Sequence, residues 1–357
     1  MVIRFGLVGC GYISKKHLNA LARCEDARLI AISDLNESRM DEARSFYQTQ
    51  SGYTHRIKFF NNYEDMIAEQ QIDVIIICTF SGLHSEMAKK ALCFNKHVIL
   101  EKPMALSIEE SNDLIYLAEI QKRQLMICHQ LRFRPLMQKI KRIIDEGKIG
   151  KINVGVASLR INRSSDYFTS ATWRGKWESD GGMLINQGIH IIDLLQWFLG
   201  EVKTVYGETG YESTLKETED VALGILDFKT SAKGIIEANI VTKPHNIGYA
   251  LSIFGEKGTI CIEGPTLNNI SHWYIEGEET DMYELDTLLQ DKNEQIYMYE
   301  NFIEALKSQD KSLLIDGIEG KKALEIIFAM YKADLTKKVV ELPISSFSTS
   351  DMKERKG

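Results

Sequence analysis

The first third of the chain alternates two periods. Short apolar runs recur over 2–8, 28–33, 57–60, 74–78, 97–100 and 125–128. Stretches with helical spacing lie between them, over 13–24, 37–47, 63–69, 83–94 and 108–123. Repeats of this length predict β-α units and a parallel, doubly wound sheet. The run over 74–78 is uninterrupted and rich in Ile, as expected for a strand buried on both faces. The pattern changes after Cys128. An amphipathic helix is predicted over 135–146, and 152–161 alternates. One helical stretch over 182–198 ends at Gly200. Alternating runs over 202–208, 221–228, 234–241, 249–254 and 259–262 then predict an antiparallel sheet with one covered face. Helical stretches over 294–307 and 317–336 follow. The expected architecture is an α/β domain over 1–128 and an α+β domain over 129–357 with a large, open, mostly antiparallel sheet.

Composition narrows the partners more than the fold. The 357 residues suffice for two domains of roughly 150 residues each. The net charge of -7, with neither half basic, disfavours nucleic acid. Six cysteines include no CxxC pair, and no His/Cys cluster has zinc spacing, so no metal is expected. The first residues carry one Arg and a short apolar run cut by Gly6 and Gly9, unlike a signal peptide. No run approaches the roughly 18 apolar residues of a membrane span. A cytoplasmic protein with a small-molecule partner is expected.

The first chemistry lies where the first run meets the first helix. Gly9-Cys10-Gly11-Tyr12-Ile13-Ser14 is a glycine loop opening a helix. Gly9 permits a tight turn, and Gly11 lets the backbone approach a pyrophosphate at the helix N-terminus. The third glycine of such loops is Ser14 here. Asp34 ends the second predicted strand, where a carboxylate accepts hydrogen bonds from both ribose hydroxyls of an adenosine and repels a 2′-phosphate, favouring NAD. Asp34 also suits a helix cap. Ligands of open α/β sheets bind beyond the carboxyl ends of the strands. The loops Thr79-Phe80-Ser81-Gly82-Leu83-His84 and Glu101-Lys102-Pro103 are therefore expected to line the cofactor cleft, with Gln130, Arg132 and Arg134 as further candidates. Cys10 and Cys78 read as small packing residues.

These residues, with Trp173-Arg174 and the later GG…N-x-x-x-H-x-x-D segment in the same order, resemble the Gfo/Idh/MocA oxidoreductases over about residues 1–340. The resemblance implies a Rossmann domain, a C-terminal sheet that packs subunits into homodimers or homotetramers, Lys102 positioning the reacting hydroxyl, and His190 accepting its proton. It also implies cofactor contact by Trp173 and Arg174. Residues 173–195, the Phe254-Gly255-Glu256-Lys257-Gly258-Thr259 stretch and His272-Trp273 are similar to the branch that oxidises C3 of UDP-N-acetylglucosaminuronate. Many family members carry Asp four residues before the His. This chain has Asn186, which cannot act as a base.

Asn186, His190 and Asp193 fall at i, i+4 and i+7, hence on one face of the predicted helix. A satisfied core histidine fits the same spacing. Oxidising a secondary alcohol needs a proton acceptor and a donor for the developing alkoxide. Histidine suits the first and a lysine ammonium the second, although the reverse assignment stays open. Arg160, Arg163, Arg174 and Lys176 gather before this helix, interleaved with Tyr167, Trp173 and Trp177. Guanidinium groups grip phosphate or carboxylate bidentately. Arg160, Arg163, Tyr167, Asn186, Gln187, His190 and Lys102 are the expected substrate contacts. Three functions stay open: oxidation of a nucleotide-sugar acid, oxidation of another sugar or a cyclitol, and a non-catalytic NAD sensor.

Overall fold

A computed structural model of the chain describes residues 2–213, 215–308 and 310–354. It divides into two compact units. The first comprises Met1–Ala105, Glu109–Phe133 and Asn293–Lys321, and the second Leu106–Ile108, Arg134–Lys292 and Lys322–Gly357. The single cut expected after Cys128 differs from this division in three ways, the first being that Leu106–Ile108 already belongs to the second unit. The main chain passes to the second unit at Arg134, and Asn293–Lys321 returns to the first.

The first unit is built on strands β1 (Ile3–Val8), β2 (Ala27–Ser33), β3 (Lys58–Phe60), β4 (Val74–Ile77), β5 (His97–Leu100) and β6 (Leu125–Ile127). All pair in parallel, in the order β3-β2-β1-β4-β5-β6. The order reverses between β1 and β4, which opens a crevice beyond their carboxyl ends. β4 is fully buried, as its unbroken apolar run requires. The returning helix Glu294–Lys307 buries Met298, Tyr299, Phe302 and Ile303 in this unit. Beyond it Gly320 packs on Ile127, where any Cβ would clash.

The second unit carries β7 (Ile152–Arg160), β8 (Val202–Gly210), β9 (Val221–Phe228), β10 (Lys233–Asn239), β11 (Gly248–Gly255), β12 (Gly258–Gly264), β13 (Asn269–Ile275) and β14 (Val340–Glu341). They form one sheet in the order β13-β12-β11-β7-β10-β9-β8-β14. The β7–β10 pair is parallel and the others are antiparallel. Burial alternates along β9 and β10, so one face is covered. The helix Ile189–Leu199 lies on that face. Gly155 of β7 leaves room for Leu195 and Leu199, since a Cβ there would stand 2.7 Å from both. Ile225 and Ile235 face each other on the open side, 61% and 46% exposed. Among the described residues no helix is long and apolar enough to cross a membrane, and all six cysteines are free.

Candidate active site

The glycine loop sits at the topological switch. Gly9 adopts φ +87°, and a Cβ on it would stand 2.8 Å from the Cys78 carbonyl oxygen after β4. Glycine is thus required for both conformation and close approach. Gly11 faces open space, with nothing within 4 Å of a Cβ position. The helix Ser14–Arg23 has no side-chain cap and no acid in its first turn, so its amide dipole stays available to an anion. This cradle fits a pyrophosphate. Ser14 takes the third glycine's place while buried, its hydroxyl donating to Gly11 O at 2.6 Å. Tyr12 is exposed, and Ile13 is partly exposed beside it.

Asp34 does not cap the following helix. Asn36 does, accepting from the Arg39 amide. Asp34 instead ties β2 to the glycine loop. Its Oδ2 accepts the Cys10 N–H at 2.7 Å and its Oδ1 the Asn36 N–H at 2.9 Å. Each carboxylate oxygen keeps a further lone pair, which suits ribose hydroxyls. Burial and the Asp34 charge push the Cys10 thiol up to about 12, so it stays neutral.

The loops after β4 and β5 are held from beneath. Thr79, Phe80 and Leu83 are half-buried, whereas His84 is buried. His84 Nδ1 lies 2.6 Å from Pro103 O and Nε2 3.1 Å from Thr79 O, so this residue bridges the two loops. Burial lowers its pKa below the ordinary value. Glu101 is buried as well. Its Oε2 accepts the Lys102 N–H at 3.1 Å, and its Oε1 is 2.9 Å from His17 Nε2. Glu101 and His84, expected among the cofactor contacts, are therefore spent on the loops themselves. Lys102 is half-buried, as is Gln130. Arg132 pairs with Glu319 at 2.8 Å, and Arg134 donates to Thr266 O at 2.6 Å, so both are structural. Ligand-type atoms of His17, Glu101 and Cys128 lie within 4.8 Å of one another. Both His17 nitrogens already have hydrogen-bond partners, so this cluster is a hydrogen-bonded network.

In the second unit the single predicted helix over 182–198 is two elements. A π-helical turn over Leu184–Gly188 precedes the α-helix Ile189–Leu199. Such turns insert an extra residue and recur at functional sites. Within 183–199 the partly exposed residues are Asn186, Gln187, His190 and Trp197. Asp193 is buried, so of the three residues expected on one face only Asn186 and His190 are partly exposed. The face consists of Asn186, Gln187 and His190. Asn186 donates to Asp180 and accepts from Gln187 Nε2 at 2.9 Å. Asp180 also accepts the Gly175 N–H at 2.8 Å.

The π-turn rests on a residue that the sequence reading missed. Glu219 Oε1 accepts the Leu184 N–H at 2.8 Å and the Tyr331 hydroxyl at 2.6 Å. Its Oε2 is buried with no partner among the described residues. Gly182, at φ +102°, packs so close that a Cβ would strike Glu219, Tyr331 and Trp177. Burial pushes the Glu219 carboxyl up to about 7, against the hydrogen bonds from Leu184 and Tyr331.

The basic cluster is divided. Arg160 is exposed and already grips Glu237 of β10 through Nε and Nη2, at 2.7 and 2.6 Å. Arg163 and Arg174 both stack on Tyr167, at 5.0 and 4.0 Å, and Arg174 lies 4.8 Å from the Trp173 ring. Arg163 also donates to Gln187 Oε1 at 3.3 Å, joining this rack to the His190 face. Among the described residues neither guanidinium has a carboxylate partner, and both Nε atoms are buried without one. Lys176 is exposed.

The fold and the loop define an NAD-dependent oxidoreductase. Residues 3–129 match the model of an oxidoreductase family with an NAD-binding Rossmann fold, and residues 137–261 match the GFO/IDH/MocA C-terminal domain. The chain is similar to the WlbA dehydrogenase from Bordetella pertussis, solved with NADH and UDP-GlcNAcA. Identity is 32%, the TM-score is 0.85, and 97% of this chain and 100% of that one are covered. For the WlbA dehydrogenase from Chromobacterium violaceum, solved with the same ligands, the values are 31%, 0.87, 96% and 97%. A myo-inositol 2-dehydrogenase of Thermotoga maritima is 26% identical over 356 residues, with 95% and 98% covered. The chain belongs to the Gfo/Idh/MocA oxidoreductase family.

Proposed function

We propose that the chain oxidises the C3 hydroxyl of a UDP-linked N-acetylhexosaminuronate. The observation that carries this reading is the Arg163–Tyr167–Arg174–Trp173 rack, with two guanidiniums free of carboxylates beside Gln187. A nucleotide-sugar acid brings a diphosphate and a carboxylate, and unpaired guanidinium groups suit both. Similarity to dehydrogenases solved with UDP-GlcNAcA supports it. The residues assigned to substrate, Arg163 and Tyr167, and those assigned to cofactor, Trp173 and Arg174, stand in this one rack. Arg160, Asn186 and Gln187 complete the proposed substrate set. Arg160 would have to exchange Glu237 for the ligand.

NAD, when bound, accepts the hydride. Lys102 holds the reacting hydroxyl and stabilises the developing alkoxide, and His190 takes the proton. Asn186 orients Gln187 rather than acting as a base. Gly9, Gly11, Tyr12, Ile13, Asp34, Thr79, Phe80, Leu83 and Gln130 form the proposed cofactor wall. A second reading, oxidation of a cyclitol such as myo-inositol, draws on the Thermotoga relative, which matches over nearly its whole length.

One panel separates the two readings. The protein is incubated with NAD and, in turn, UDP-N-acetylglucosaminuronate, UDP-N-acetylglucosamine, myo-inositol and glucose 6-phosphate. NADH absorbance is followed with and without a 2-oxoacid that reoxidises tightly held NADH. Turnover of the UDP-sugar acid is expected. Arg163→Ala raises its KM about tenfold or more, the cost of one charged hydrogen bond. Turnover of myo-inositol alone, untouched by Arg163→Ala, would refute the nucleotide-sugar reading.

A further inference from the structure

We propose that Tyr299, His17 and Glu101 form a buried hydrogen-bonded chain that fixes the Lys102 backbone and holds one negative charge behind its ammonium group. The three residues are positioning residues. They come from the helix Glu294–Lys307, the helix Ser14–Arg23 and the end of β5. Tyr299 Oη lies 2.8 Å from His17 Nδ1, His17 Nε2 lies 2.9 Å from Glu101 Oε1, and Glu101 Oε2 accepts the Lys102 N–H at 3.1 Å. His17 and Tyr299 are 0% exposed and Glu101 is 6% exposed.

The chain has one consistent polarity. An ionised carboxylate only accepts, so His17 donates from Nε2 and takes the Tyr299 hydroxyl hydrogen at Nδ1. Every donor then has an acceptor, which a buried network requires. Burial alone would push Glu101 up. The hydrogen bond from His17 and the nearby Lys102 charge outweigh it and leave Glu101 below the ordinary carboxylate value. Titratable groups facing the carboxylate are His17, His84, Lys102, Cys78, Cys128 and Tyr299. Burial drives both thiols and the Tyr299 phenol well above their ordinary values, so all three stay neutral. Glu101 is therefore the negative member of this group. Coulombic coupling is reciprocal: the Lys102 charge that favours ionised Glu101 is itself favoured by Glu101.

The inference rests on Lys102 being the group that holds that hydroxyl, so its test includes a readout that needs no substrate. The full chain is acetylated with limiting acetic anhydride across pH, and modification of Lys102 is followed by mass spectrometry. Glu101→Gln removes the charge while its amide oxygen still accepts the Lys102 N–H and its NH2 donates to His17 Nε2, so only the His17 bond reverses polarity. Its Lys102 midpoint is expected to fall by about one pH unit, with NADH binding by fluorescence retained. Should that variant not fold, Glu101→Asp keeps the charge but shortens the reach. Its midpoint stays with the parent while kcat falls. Tyr299→Phe lowers kcat about tenfold at unchanged KM for NAD, the cost of one lost buried hydrogen bond, read with whichever panel compound turns over. An unmoved midpoint in Glu101→Gln, a fallen one in Glu101→Asp, or an unchanged kcat in Tyr299→Phe overturns the chain. Full turnover by Lys102→Ala would instead remove the catalytic reading of Lys102 and leave the acetylation result standing.

Discussion

Replacing Glu219 with Gln should abolish a pH dependence of stability built into the second unit. Glu219 is wholly buried under the π-turn, with its Oε1 accepting from Leu184 and Tyr331 and its Oε2 against Gly182. Its carboxyl is raised from 4.5 to about 7. The folded state therefore binds this proton more tightly than the unfolded chain. Stability from this group is full below the unfolded value and is lost as pH rises through the folded one, levelling off above about 7. Raising the carboxyl from 4.5 to about 7 corresponds to about 3 kcal/mol. Gln keeps the shape and an acceptor for both donors but cannot ionise. Urea unfolding of parent and variant at pH 4, 5, 6, 7 and 8 isolates the term, because every other titrating group cancels in the difference. The parent should lose about 3 kcal/mol relative to Glu219→Gln between pH 4 and pH 8. In melting temperature that is several degrees, at about 2–4 °C per kcal/mol for a domain of this size. Parallel curves across the range would show that the carboxyl ionises freely in the folded protein and would refute the argument.

Two further perturbations test the cofactor loop and the open sheet. Asp34→Ser removes the carboxylate that holds the Cys10 amide. NADH affinity, read by fluorescence titration, should fall about tenfold or more while the preference over NADPH collapses, and an unchanged NADH/NADPH ratio would sink the assignment. Ile225→Asp places a charge opposite Ile235 on the open face. If the expected homo-oligomer forms through that face, sedimentation velocity shifts toward the monomer, whereas an unshifted profile moves the interface elsewhere.

The parallel sheet was legible because its strands are mostly apolar, β4 entirely so, and its glycines stand where backbones must approach. Gly9 is such a residue, fixed by φ and by Cys78 together. Edge strand β13 escaped because an edge is mostly exposed, and the pattern of Asn269–Ile275 alternates weakly. The helix Met282–Gln290 carried a readable signal that went unused. Asp281 caps it through the Tyr283 and Glu284 amides, and Glu284 sits three residues on, as in a capping box. The return of Asn293–Lys321 was invisible, because an amphipathic stripe says that a helix is buried but not in which core. Arg160 looked like an anion site, since nothing local reveals that Glu237 lies one strand away. No local signal marks His17 out within the helical stretch over 13–24. Its partners stand 84 and 282 positions along the chain, beyond the reach of any local pattern.

The route of the chain constrains its biosynthesis. A ribosome delivers β1 to β6 long before the helix Glu294–Lys307, yet Tyr299 and Phe302 belong to the same core as those strands. Until that segment emerges, His17 lacks its phenol partner and the nascent sheet leaves apolar surface bare. An N-terminal fragment ending before Glu294 would lack this part of the core. The nucleotide-binding half waits for the intervening sheet to be synthesised, so chaperone capture during that interval and tight coupling of the two halves in expression are the natural corollaries.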